Sequence, residues 1–152
     1  PVEPGFSPQD TPEVLEKYHP LSRMPELLGV SVSFVRELSV AGVITMRRSP
    51  HGRDLGGGSD FRLIRTCEEL RQFGIGPKNL RQYVQAANRE SGMFEQALTV
   101  YGRNASGGGG EVTPEQRKRR DQAFSRMIEL TNAVRATLIR KSMWGNNKEG
   151  NS

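Results

Sequence analysis

The sequence has little of the residue types from which catalytic and metal sites are built. Its 152 residues include one cysteine, Cys67, and two histidines, His19 and His51. One cysteine cannot form an internal disulfide, which favours a reducing compartment, and we expect a cytoplasmic protein. Both histidines lie in proline-containing loops, and Cys67 lies on the apolar face of a predicted helix, so no nucleophile–base pair is apparent. We therefore expect no enzymatic activity, no metal and no cofactor.

Long apolar runs are also missing. No stretch approaches the roughly 20 residues that a membrane-spanning helix needs, and no signal peptide opens the chain. The glycine runs do not follow a predicted strand and contain no phosphate-binding pattern, so they do not predict a nucleotide site. These absences leave binding and assembly as the functions to consider.

The composition fits one modest folded domain with flexible inserts. Hydrophobic residues make up 34% of the chain, and 17 glycines raise the apolar share toward the usual globular value. The net charge is +5, and it is uneven, because the first 30 residues are net acidic and the remainder is basic. Such a balance is compatible with a polyanionic partner. The first residue is Pro1 rather than methionine, so we expect an excerpt of a longer protein.

The segment from Leu28 to Ile44 reads as the turn and second helix of a helix-turn-helix. Gly29 is suited to the positive φ that often follows a helix end, and Ser31 is a natural N-cap for the next helix. Val35 and Leu38 fall on one face of that helix. The motif is known for presenting one helix to DNA, but two core helices with a short connection fit the pattern equally well.

The segments around this motif have less regular patterns. Residues 1–18 contain four prolines and are interpreted as a linker or arm. Thr45 to Ser59 brings Arg47, Arg48 and Arg53 to the position of a β-hairpin wing. A solvated loop, mobile near residues 49–58, is the alternative, because three consecutive glycines end this segment.

The second half of the chain is predicted to be helical. Asp60 to Val84 has two apolar stripes separated by Gly74, with Pro77 at a first helical position, and predicts a helical hairpin. A break is expected at Ser91-Gly92, followed by another short helix and a mobile loop at residues 102–112. We predict a domain over residues 19–145 and a disordered tail over 146–152.

A long final helix is predicted from Thr113 to Met143, with Thr113 as its N-cap and Gln116 completing a capping box. Its apolar residues recur in steps of three and four, the spacing of a coiled-coil seam. A helix about 45 Å long would extend past a domain built from one hairpin, so we expect a homodimer. The predicted dimerisation residues are Phe124, Met127, Thr131, Val134 and Leu138.

This order of elements resembles the MerR family of transcriptional regulators. LSRMPELLGVSVSFVREL looks like that family's opening pattern, with Arg36 at the position of its recognition-helix arginine. Glu37 and Leu38 replace the aromatic residues that usually follow, and Gly52-Arg53 replaces the usual Gly-Tyr-Arg of the wing. The resemblance implies a mainly α fold, with a degenerate winged helix-turn-helix, a helical hairpin and a long dimerisation helix.

A closer likeness is to the C-terminal domain of a MerR subgroup from high-GC Gram-positive bacteria. FGIGPKNLRQYVQAANRESGMFEQAL resembles the most recognisable segment of that domain, and LTNAVRATLIRKSM resembles its final helix. The likeness implies an effector-sensing and dimerisation domain, with an unknown effector and with DNA read mainly by an upstream domain. The alternative is that the chain itself binds DNA, through Ser33, Arg36, Arg47, Arg48 and Arg53.

Overall fold

Helices account for most of the residues that the computed structural model describes, which are residues 3–106 and 112–145. The predicted mainly α class is therefore confirmed. The chain divides into two units, Pro1–Asn88 and Arg89–Ser152, here called unit 1 and unit 2. Unit 1 holds all the strands of the described residues and most of the short helices. Its elements, with the start of α5, are α1 (Pro12–Leu15), β1 (Tyr18–Pro20), α2 (Met24–Leu28), α3 (Val32–Val40), β2 (Arg47–Arg48), β3 (Asp54–Gly57), α4 (Phe61–Gln72) and α5 (Pro77–Ser106).

The helix-turn-helix forms as its end signals predict. Gly29 follows α2 in the left-handed region at φ 69° and donates its N–H to the carbonyl of Pro25. The Ser31 hydroxyl accepts the backbone N–H of Phe34 at 3.1 Å, so it caps α3. Gly42 ends that helix at φ 83°. The short turn fixes the direction in which α3 leaves α2, and α3 buries Phe34, Val35 and Leu38.

A three-stranded antiparallel sheet packs beside this motif, in the order β1–β3–β2. The prediction of a mobile loop at residues 49–58 is wrong for its second half, because β3 is the central strand. The glycines are needed there for close approach. A Cβ on Gly58 would lie 2.1 Å from the carbonyl oxygen of Val14, and one on Gly56 would lie 2.9 Å from the Met24 side chain. The three glycines therefore form the packed end of β3 and the start of the turn after it, rather than a flexible linker.

The N-terminal segment is likewise part of unit 1, which corrects the linker interpretation of residues 1–18 for the residues described. Asp10, whose side chain is 3% exposed, accepts two hydrogen bonds from the Arg65 guanidinium on α4, both at 2.6 Å. Arg65 also donates to the carbonyl of Gly5 at 3.0 Å. Tyr18, at the end of the segment, begins β1 opposite Gly57. An ion pair and a strand ladder therefore hold this segment, and neither is visible as local periodicity.

The core of unit 1 lies between α2, α3, α4 and the sheet. Its largest fully buried side chains belong to Phe61, Met24, Leu38, Ile64 and Val35. His19 is also buried, and its ring packs against that of Phe61 in a tilted arrangement, with centroids 5.2 Å apart. Its Nε2 donates to the carbonyl of Val14 at 2.8 Å, which satisfies a polar group that burial would otherwise penalise.

The predicted helical hairpin is present at the end of unit 1. Gly74 follows α4 at φ 83°, and Pro77 begins α5, as the glycine and proline positions predict. The break predicted at Ser91-Gly92 is wrong, because α5 continues through both residues to Ser106. One glycine costs a helix only about 1 kcal/mol relative to alanine, and the apolar spacing on both sides of it is helical.

Unit 2 contains the rest of α5 and the helix α6 (Pro114–Arg140), followed by a π-helical turn over Lys141–Gly145. The predicted capping box is confirmed. Thr113 Oγ1 accepts the N–H of Gln116 at 3.1 Å, and the Gln116 side chain accepts the N–H of Thr113 at 2.9 Å. The mobile loop predicted at residues 102–112 is wrong for 102–106, which lie in α5. Residues 107–111 and the predicted tail at 146–152 lie outside the described residues.

Candidate functional site

The exposed face of α3 carries two of the residues predicted to contact DNA. Burial of Phe34, Val35 and Leu38 on the opposite face leaves Ser33 and Arg36 at the surface. Glu37 is exposed beside them. An acid on this face opposes the approach of a phosphate backbone, so the surface is less basic than the arginine alone suggests.

The predicted wing is present as a hairpin of β2 and β3. Arg47 pairs with Leu55 and Arg48 with Asp54 across the ladder. The turn is closed by Ser49, whose hydroxyl accepts the N–H of Arg53 at 3.0 Å. Arg53 is therefore fixed at the exposed end of the hairpin, next to Gly52 at φ 78°.

Asp54 connects the wing to α3. Its carboxylate accepts a hydrogen bond from Arg36 Nη1 at 2.7 Å and lies 3.6 Å from Arg48 Nε. The hydrogen bond from Arg36, together with the positive charges of Arg36 and Arg48, holds the pKa of Asp54 below its usual value. Two of the cations predicted to bind DNA thus share one carboxylate, and sequence reasoning missed it. The only signal in the sequence was that Asp54 would lie opposite Arg48 across the hairpin, and this position can be assigned only when the strand register is known.

Arg47 of the wing does not form one surface with Arg36 and Arg48. Successive residues of a strand point to opposite faces, so Arg47 and Arg48 diverge. The Arg47 guanidinium lies over the ring of Tyr18, 4.5 Å from its centroid. Ser33 Oγ lies 3.2 Å from Ser31 Oγ, within the capping turn. The structure therefore brings Arg36 and Arg48 together and leaves Arg47 on another face.

Unit 2 carries the predicted dimerisation residues. The rings of Phe94 and Phe124 meet edge to face at 5.8 Å, and Glu90 pairs with Arg135. Because the partner numbers rise along α5 and fall along α6, the two helices run antiparallel. Phe124 therefore contacts α5 of the same chain, and the half-buried Met127 and Thr131 lie on the same face between Phe124 and Arg135.

The other two predicted dimerisation residues are uncovered. Val134 is 59% exposed and Leu138 is 58% exposed, and Leu130, one turn earlier, is 50% exposed. Residues four positions apart share one helix face, so these three form a continuous line, here called the α6 stripe. The predicted seam is thus divided, with its first part packed within the chain and its last part open.

Two titratable side chains of unit 1, Cys67 and Asp60, are shifted in pKa by burial. Burial raises the pKa of the Cys67 thiol, which disfavours the reactive thiolate. Burial likewise raises the pKa of Asp60, at the start of α4. Among residues 3–106 and 112–145, no three His, Cys, Asp or Glu side chains are grouped closely enough to hold a metal ion. In the same residues, no helix is long and apolar enough to cross a bilayer.

These features define a mainly α domain in which a winged helix-turn-helix precedes a helical hairpin and a long final helix. The chain belongs to the family described as Rv1828-like, C-terminal domain, whose family model matches residues 22–146. The match spans α3, the wing and α6, so it covers both candidate surfaces. No curated protein matches the chain.

Proposed function

We propose that this chain is the effector-sensing and dimerisation domain of a MerR-like transcriptional regulator that acts in the cytoplasm. DNA is read mainly by another domain of that regulator. The family description, which names a C-terminal domain, supports a role within a longer protein. The order of winged motif, hairpin and long helix supports the MerR-like assignment.

The observation that carries the dimer is the packing of α6. This helix is 27 residues long, and none of its residues is buried. Its apolar residues cover about half of its circumference, whereas one neighbouring helix covers only one side. The α6 stripe is left for a second copy of the chain. A two-fold arrangement supplies this partner, since the same surface then serves both subunits.

The size of the stripe indicates a dimer of moderate affinity. Full burial of an aliphatic side chain stabilises by roughly 1.5–3 kcal/mol, and these side chains are about half exposed, so each contributes about 1 kcal/mol. Leu130, Val134 and Leu138 from two copies, with the neighbouring Ile128 and Ile139, sum to about 10 kcal/mol. Association costs at least about 4 kcal/mol, which leaves at most about 6 kcal/mol, so we expect a dissociation constant of several tens of micromolar or weaker.

Sedimentation velocity across a concentration series tests this proposal. The wild-type chain should change from monomer to dimer, and Leu138→Glu should raise the dissociation constant about 100-fold, since a charge cannot be desolvated there. Gln122→Glu makes the same charge change on the polar face of α6 and should leave the dimer intact. A monomer at all concentrations, or equal effects of both substitutions, would contradict the dimer.

The regulatory part of the proposal needs the longer protein. Dimeric regulators bind two half-sites, so loss of the dimer weakens operator binding even when the DNA-reading domain is unchanged. Leu138→Glu should therefore reduce operator affinity of the full regulator in a fluorescence anisotropy titration, and Gln122→Glu should not. Unchanged operator binding by the Leu138→Glu protein would refute a regulatory role for this dimer.

A second candidate function is DNA binding by the chain itself. The exposed Arg47, Arg48 and Arg53 of the wing favour it. The Asp54 carboxylate and the exposed Glu37 oppose it, because both lower the positive potential that phosphates require. We expect weak, salt-sensitive binding without sequence preference.

A further inference from the structure

A groove in unit 1 lies at the end of α3, beside the turn that joins α4 to α5. It has a volume of about 460 Å³ and is lined in part by Glu37, Val40, Pro77, Lys78 and Arg81. The space beside the turn is open, because a Cβ on Gly74 or Gly76 would meet no heavy atom within 4 Å. A volume of this size lies within the range of small-molecule sites, about 300–1,000 Å³.

The apolar part of the groove is exposed without a covering element. Val40 is 76% exposed at the C-terminal end of α3, although the helix buries Val35 and Leu38 on its other side. Ala41 and Pro77 extend the apolar lining. An aliphatic ligand body of a few carbons would remove this surface from water.

The groove also carries two cations that form no ion pair with a carboxylate of the described residues. Arg36 at its edge is hydrogen-bonded to Asp54, and Glu37 interacts electrostatically with Arg71, whose pKa is raised by Glu68 first and by Glu37 to a smaller extent. Lys78 and Arg81 have no carboxylate within 4.0 Å among residues 3–106 and 112–145. They are three positions apart on α5, so both point toward the same side.

We propose that this groove binds a small anionic amphiphile, a carboxylate with a short apolar body. Lys78 and Arg81 hold the carboxylate, and Val40 with Pro77 contacts the apolar body. Charge complementarity selects this occupant, because two unpaired cations adjoin one exposed apolar side chain. The inference deepens the proposed effector-sensing function and rests on it for its biological meaning.

A ligand in this groove connects α3 with α5, and it lies beside the glycine-containing turn that joins α4 to α5. It contacts the last turn of α3 and the first turn of α5, so binding restricts the segment from Gly74 to Gly76. Slower amide hydrogen exchange in that segment is the expected consequence. The effect is local to unit 1 and does not depend on the oligomeric state.

Titration of the whole chain with octanoate, followed by isothermal calorimetry and amide chemical shifts, tests the inference. Binding should saturate, and the shifts should concentrate at Val40 and Lys78. Lys78→Glu with Arg81→Glu should weaken binding about tenfold or more, since both exposed charges then repel the carboxylate. The matched control is Lys118→Glu with Arg119→Glu on α6, which should change affinity less than about twofold. Octanamide, the uncharged analogue, should also bind about tenfold more weakly.

Several outcomes would overturn the inference. Octanoate binding that does not saturate, or that the Lys78 and Arg81 reversals leave unchanged in a chain with wild-type circular dichroism, excludes an anion site. Equal affinity for octanamide excludes recognition of the carboxylate. If the reversals dissociate the dimer instead, the groove is a contact between two copies. Failure of this inference can be distinguished from failure of the proposed function, because sedimentation tests dimerisation through the α6 stripe in the absence of octanoate.

Discussion

Unit 1 and unit 2 bury apolar side chains to very different extents. In unit 1, Met24, Val35, Leu38, Phe61 and Ile64 are all less than 2% exposed, although none of the complete helices there exceeds 12 residues. In the described part of unit 2, Leu98 is the one buried side chain, although its helices are the longest in the chain. The unit with the longer helices therefore buries fewer apolar side chains.

The difference follows from the number of directions in which each unit packs. Short helices and a sheet surround the residues of unit 1 from several sides, so their apolar faces are covered within the chain. Two antiparallel helices cover each other along one side only. The apolar residues of α6 that α5 does not cover stay exposed. Unit 1 is organised by internal packing, whereas the described part of unit 2 leaves apolar side chains of α6 exposed, which is the basis of the proposed dimer.

The largest expected effect is the difference in stability loss when an aromatic ring is removed from each unit. Phe61→Ala should lower the free energy of unfolding of unit 1 by about 3–5 kcal/mol, because it removes a fully buried ring. Phe124→Ala, at a ring 39% exposed, should cost only about 1–2 kcal/mol. Amide hydrogen exchange resolves α4 and α6 separately and measures both losses.

The same measurement sharpens the comparison when protein concentration is changed. Protection of α6 amides should rise with concentration, because dimer formation stabilises the associated state, whereas protection of α4 amides should not. If the amides of α4 and α6 respond alike to concentration, exposure of the α6 stripe does not lead to association of unit 2.

A medium effect is expected where the N-terminal segment joins unit 1. Asp10→Asn should cost about 2–3 kcal/mol, because it leaves the mostly buried Arg65 without its carboxylate. The hydrogen bonds from Arg65 hold the pKa of Asp10 below its usual value. This stabilisation is therefore present above the usual aspartate pKa of about 3.9 and is lost as the pH falls through the lowered value.

Chemical denaturation of wild type and Asp10→Asn at a series of pH values measures this contribution. The difference between the two proteins should be full near neutrality and shrink below about pH 4. Asp121→Asn, on the exposed surface of α6, should show no such difference. A constant difference down to the lowest pH would mean that the ion pair is not its cause.

The smallest effect concerns the surface charge of the winged motif. Asp54→Asn frees Arg36 and Arg48, so the affinity for non-specific duplex DNA at low salt should rise about tenfold or less. The slope of log affinity against log salt concentration should become more negative by about one to two, because each added phosphate contact contributes about one. Fluorescence anisotropy at several salt concentrations measures both quantities.

Glu26→Gln provides the control, since it removes one negative charge from a pair with Arg23 away from the wing. It should leave the salt dependence nearly unchanged. Equal responses to the two substitutions would show that net charge, rather than the Asp54 contacts, limits DNA binding.

The sequence alone determined the elements whose signals are local. Gly29, Ser31 and Gly74 mark helix ends by backbone conformation or capping, and Thr113 with Gln116 marks the start of α6. These signals act within a few residues, so they can be read without knowing the fold. The apolar spacing of α3, α4 and α6 is equally local, and it gave the mainly α class.

Only the tertiary structure decided the features that join distant segments. The Asp10–Arg65 pair spans 55 positions, and the triple glycine is packed because Val14 and Met24 approach it. Asp54 meets Arg36 only because the hairpin register places it there. The division of the α6 seam likewise depends on which of its side chains α5 covers. Local propensity fixes where a helix begins and ends, but partners across the fold decide which side chains remain available for binding.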